Sequence, residues 1–162
     1  MIMKAMNILF ILLAIAVVGA LVVCFYFLVA SSVPNPHLPA RMLKVGDAQF
    51  TVEVANTTTT RMRGLSGRDP LKEGEGMLFI FDKPSRYGFW MKDMKFALDF
   101  VWVSGDKVVG VTENVPPPAS GTSMFSLPVY YPPENVDKIL ELNAGEVKRY
   151  GIRTEQSAIL TP

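Results

Sequence analysis

From Ile8 to Ala30 the chain is continuously apolar, interrupted only by Gly19, Cys24 and Tyr26. As a helix at about 1.5 Å per residue, this run would extend roughly 34 Å, against about 30 Å for a hydrocarbon core. It predicts a membrane-spanning signal anchor. The rival reading is a cleaved secretory signal, whose apolar part usually covers about 7–15 residues; Ala30, Ser31 and Ser32 would offer small residues to a peptidase. Lys4 and the terminal amine mark the cytoplasmic flank. Both readings place the remainder of the chain outside the cytoplasm. Cys24 follows β-branched Val23, where a lipidation site would want a small residue, and reads as an ordinary residue of the helix.

Beyond the run the pattern changes twice. Ser31 to Ala40 holds Pro34, Pro36 and Pro39, which preclude helix and predict a semi-rigid stalk with His37 solvated in it. From residue 41 the chain alternates. Phe50, Val52 and Val54 on one face with Thr51 and Glu53 on the other predict a half-buried strand over Gln49–Ala55. Further strands are expected at Met77–Phe81, Tyr87–Met91, Ala97–Val103, Val108–Thr112 and Val136–Leu142, with Ser104 to Lys107 turning one hairpin. Two short helical turns are expected, Thr57–Met62 stopped by Gly64 and Glu146–Tyr150 closed by Gly151. Pro116 to Pro133 is the longest irregular stretch. The expected organisation is an anchor over residues 1–30, a stalk over 31–40, and one mainly β domain over 41–162. That domain is read as a compact sandwich or partly closed barrel.

Charge narrows the function. Of 16 basic and 15 acidic residues only Lys4 precedes Arg41, so the domain is neutral and gives no electrostatic reason to expect nucleic acid. The single cysteine excludes an internal disulfide and any multi-thiolate metal site. The single histidine, His37, excludes a multi-histidine metal centre and histidine-based catalysis in the domain. No cofactor or metal is expected.

Four clusters stand out: Arg61 to Arg68 (RMRGLSGR), Gly74 to Phe81 (GEGMLFIF), Phe89 to Met94 (FWMKDM) and Leu98 to Trp102 (LDFVW). In this order and spacing they resemble the domain of unknown function 192 family. The resemblance spans roughly Phe50 to Ile152. It implies a compact, mainly β, jelly-roll-like fold in an exported or membrane-anchored protein, and it brings no established activity. Ser66 stands where the family favours methionine, and Asp93-Met94 where it favours Asn-Thr. Glu155-Gln156 replaces the family's Gly-Asp near the carboxyl end.

Gly64 and Gly76 are read as positions of positive φ or close approach, and Met77–Phe81 with Phe89 and Met91 as core. Asp99 lies mid-strand, where a carboxylate needs a partner, and Arg63 or Arg68 could pair with it. In the functional reading Arg63, Arg68, Trp90, Lys92, Asp93 and Asp99 converge on one polar cleft that binds a small polar ligand or an envelope component. The expected function is a non-catalytic binding module. The alternatives are a metal-independent hydrolase using the carboxylates Asp93 and Asp99, and a purely structural accessory protein.

Overall fold

The computed structural model describes residues 14–24 and 35–161. The chain divides into two compact units, Met1–Pro34 and Asn35–Pro162. In the first, residues 14–24 are helical and exposed. No helix among the described residues is long and apolar enough to cross a membrane, and the anchor expected over 8–30 extends outside those residues on both sides.

The second unit is mainly β. Its strands are β1 (Ala40–Val45), β2 (Ala48–Ala55), β3 (Glu75–Ser85), β4 (Leu98–Ser104), β5 (Lys107–Val115), β6 (Val136–Asn143) and β7 (Ala158–Leu160). They form one sheet in the order β5-β4-β6-β3-β2-β1-β7. Only β2 and β3 pair in parallel, which requires a crossover between them. That crossover contains helix α1 (Thr58–Arg63). A second short helix, α2 (Glu146–Arg149), follows β6.

The sheet curls until its edges meet. Val108 on β5 and Ala158 on β7 share one apolar cluster although their strands lie at opposite edges. The amide of Val108 donates to Gln156 O at 2.9 Å, and that of Ala158 to Asp106 O at 2.8 Å. Of the two expected forms the chain adopts the partly closed barrel, a half-barrel of one sheet, and not the two stacked sheets of a sandwich. Curling lets a single sheet bury its own inner face.

Both faces are covered. Inside lie Leu43, Phe50, Leu78, Val101, Leu140 and Val147; on the other face lie Leu65, Met77, Phe79, Phe100, Trp102 and Ile139. The adjacent strands β4 and β6 are consequently buried on both sides. Asp99 points to the inner side and is fully buried. No arginine reaches it. Its Oδ1 accepts from Asn114 N at 2.8 Å, and its Oδ2 from Gly145 N at 2.9 Å and Val147 N at 3.0 Å. Asn114 has a positive φ of 55° where the β4–β5 register shifts. One carboxylate thus satisfies a bulge and the first amides of α2.

Two glycines follow expectation for different reasons. Gly64 caps α1 at φ +48°, and Gly76 lies where a Cβ would sit 2.9 Å from the Glu141 carbonyl oxygen. The segment Tyr87–Met91 is a correction: it is not a strand and makes only an isolated bridge, Phe89 to Tyr130. Residues 35–39 of the expected stalk make contacts with the domain, and His37 among them is exposed, as expected. Glu53 accepts from Leu38 N at 2.6 Å and from His37 Nδ1 at 2.7 Å, while Arg68 donates to Pro36 O at 2.7 Å.

Asp99→Asn puts an amide NH2 against a backbone donor, and we expect it to lower stability by about 2–4 kcal/mol. The midpoint of urea unfolding measures this. A change within about 0.5 kcal/mol, as at an ordinary surface position, would contradict the assignment.

Candidate functional site

The crossover through α1 and the connection from β3 to β4 lie over the outer face of the sheet, and a groove of about 260 Å³ opens between them. Thr57 caps α1 in a reciprocal capping box with Thr60, and the chain then turns through Gly64. Ser66 Oγ donates to Lys92 O and Gly67 N to Asp93 O, each at 2.8 Å. These two bonds stitch the Arg61–Arg68 turn to the Phe89–Met94 segment. Asp93 has φ 56°. Aspartate and asparagine both tolerate that left-handed region, so the departure from the family's asparagine preserves the backbone. Ser66, where methionine is usual, contributes a bond instead of bulk.

Aromatic side chains build the walls. Phe79, Phe81, Tyr87, Phe89 and Trp90 line the groove together with Leu65 and Met94. Phe81 and Tyr87 stack at 3.7 Å between centroids, and Phe79 meets Phe89 edge to face at 5.0 Å. The Arg61 guanidinium lies 4.9 Å from the Phe81 centroid and donates to Asn56 O and Ile80 O, both at 2.8 Å. Arg63 and Lys92 supply further positive charge, and Trp90 is half exposed.

Glu141 closes the bottom. It lies on β6 opposite Met77 of β3 and Phe100 of β4, and only 5% of its surface is exposed. Burial pushes its carboxyl up to about 8; neither a hydrogen bond nor a nearby charge contributes. At neutral pH it is a protonated acid beneath aromatic rings.

The six expected site residues do not converge. Arg63, Trp90 and Lys92 line the groove. Asp93 is exposed beside it, 3.4 Å from the Lys92 ammonium. Arg68 is elsewhere, held in a bidentate pair with Glu53 at 2.6 and 2.9 Å. Burial raises the Glu53 carboxyl, but hydrogen bonds from Arg68, Leu38 N and His37 outweigh it and leave the group below its usual range. Asp99 faces the opposite side of the sheet. The carboxylate pair Asp93/Asp99 is therefore corrected: Asp99 is enclosed and occupied by three amides, while Asp93 is solvated, so they cannot act on one bound atom. Glu141 went unnoticed in the sequence. Its signal was a carboxylate set among Ile139, Leu140 and Leu142.

A family model for DUF192, described as Uncharacterized ACR, matches residues 41–159. The chain belongs to the DUF192 family. The half-barrel is also similar to two solved structures, each with a TM-score of 0.69. One, from Sinorhizobium meliloti 1021, is provisionally described as a transcription regulator; it is 26% identical, and the match covers 78% of this chain and 97% of that one. The other, a protein of unknown function from Novosphingobium aromaticivorans, is 25% identical, with 78% and 89% covered. No curated protein matches the chain. In this DUF192 protein the Arg61–Arg68 and Phe89–Met94 motifs frame the groove, and the Leu98–Trp102 motif supplies the core beneath.

Glu141 has a clear pH signature. A carboxyl whose pKa rises on folding keeps its proton in the folded chain where the unfolded chain has lost it. Its effect on stability is thus most favourable below the ordinary 4.5 and is lost as pH rises to about 8. We expect stability to fall across this window by up to about 1.4 kcal/mol per pH unit, and Glu141→Gln to flatten the slope. Urea midpoints from pH 5 to 8 check this; equal slopes in both chains would mean that Glu141 is solvated.

Proposed function

We propose that the DUF192 domain is a non-catalytic binding module that holds a small ligand in the aromatic groove. Glu141 carries this reading. Burying a carboxyl without a partner costs stability, and an apolar residue of similar size would serve the fold better. A group kept at such a cost, at the foot of a cleft with cations at its mouth, suits a ligand that meets it. The walls argue for a ligand with a mainly apolar body, a departure from the small polar ligand expected from a Trp90 stacking face and mixed charges. The lining also offers no second carboxylate to work with Glu141 as an acid–base pair.

We further propose that the run over 8–30 tethers the protein in the membrane with the domain extracytoplasmic. Its length and lack of charge support this reading. A reporter that folds only outside the cytoplasm, fused after Ala40, should be active, and a cytoplasmic reporter at the same point silent. The reverse pattern would overturn the topology.

Glu141→Leu separates a binding groove from a scaffold. We expect the variant to be more stable at pH 8 by about 1–3 kcal/mol. It should also lose the chemical-shift changes that small aromatic compounds produce in groove amides of the parent. A destabilised variant, with no compound perturbing the parent, would assign the motifs to folding alone.

A further inference from the structure

We propose that the groove is specific for an aryl anion: a ring held among Phe79, Phe81 and Phe89, a negative end at Arg63 and Lys92, and an oxygen acceptor facing Glu141. The inference rests on the binding-module reading and specifies its ligand class. Three observations carry it.

The first is the wall chemistry. Five aromatic side chains line the groove, and aromatic rings in edge or offset contact attract one another beyond what burial alone gives. A cavity of about 150 Å³ holds benzene. The space here, about 260 Å³, fits one ring with short substituents.

The second is the charge at the mouth. Arg61, Arg63 and Lys92 all line it. Arg61 is committed to two carbonyl oxygens and the Phe81 ring. Arg63 has no ion pair among the described residues, and Lys92 has only the exposed Asp93 at 3.4 Å. The mouth therefore has positive charge to share with a ligand and little negative charge to offer a cation.

The third is the buried acid. A protonated carboxyl can donate a hydrogen bond to a carbonyl or ether oxygen. The charged or titratable groups lining the same groove are Arg61 and Arg63 from α1, and Tyr87 and Lys92 from the β3–β4 connection. Its strand neighbours Met77 and Phe100 carry no charge. The acceptor therefore meets a neutral donor at neutral pH.

Residues 35–162 serve for the test, since the match covers 97% of the crystallised Sinorhizobium chain and that chain is little more than this domain. Four compounds share one ring: para-acetylphenylacetate, para-isopropylphenylacetate without the acceptor, para-acetylbenzylamine with the opposite charge, and neutral para-methylacetophenone. Titrations followed by amide chemical shifts give each affinity. We expect the first to bind tightest, with each of the other three weaker by roughly tenfold. Arg63→Ala with Lys92→Ala should bring anion and amine together. Glu141→Leu should remove the preference for the acetyl group. Raising the pH from 6 to 9 should weaken the first compound in the parent and leave Glu141→Gln, which keeps a donor, unaffected.

An amine that binds as tightly as the acid, or a neutral ketone that does so, would overturn the anion class while leaving the groove as a binding site. An acceptor preference that persists in Glu141→Leu would overturn the role of the acid. If none of the four perturbs groove amides, both this inference and the reading beneath it fall.

Discussion

Strands β4 and β6 lie side by side in the middle of a curled sheet and are buried on both faces, so neither can carry a polar side chain without consequence. Each carries a carboxyl. Asp99 points inward and meets three amides, two of them at the start of α2 and one in the bulge of β5. Glu141 points outward and meets rings. The first arrangement secures the helix and the bulge to the sheet. The second leaves an uncompensated group where the domain opens to solvent. Glu141 is the neighbour of Leu142, the strand partner of Asp99, so the two carboxyls take opposite faces of the sheet, one holding the fold and the other facing the groove.

The family motifs divide along the same line. Leu98 to Trp102 is central strand, and Asp99 in it is structural. Arg61 to Arg68 divides internally: Arg61 and Arg63 reach the groove, whereas Arg68 turns back to Glu53 and clasps Pro36. Phe89 to Met94 gives the other wall, anchored by Ser66 and Gly67. A motif can therefore be shared between positions that shape the backbone and positions that line the cleft. Asp93 belongs to the first kind, Trp90 and Lys92 to the second, and Gly64, which both caps α1 and lines the groove, to both.

The entry of the chain into the domain is fixed rather than loose. Asn35 donates to Gly64 O at 2.5 Å, and the Arg68–Glu53 pair holds the next residues. Gly64 lines the groove. Residue 35 thus meets the domain at the turn that carries Arg63, at the edge of the candidate site.

Local pattern determined much of this architecture. Alternation located β2 and β4, and apolar runs bounded by turn residues located β3, β5 and β6, because a half-buried strand is apolar at every second position and a doubly buried one at successive positions. Thr57 and Gly64 bounded α1 because capping is settled by neighbouring backbone groups. The four motifs indicated the family before any contact was known. Tertiary structure decided the rest. Tyr87 to Met91 has strand composition, yet its aromatic residues are used to cover the sheet and line the groove. The short β1 and β7 exist through pairing with distant segments, which no local pattern records. The partner of Asp99 could be argued from residue type, but arginine was the wrong choice, since backbone amides have no letter in a sequence. Glu141 was visible only as a carboxylate in an apolar run. Which face it takes, and that this face is open, follow from the register of β6 against β3 and β4, a property of three strands together.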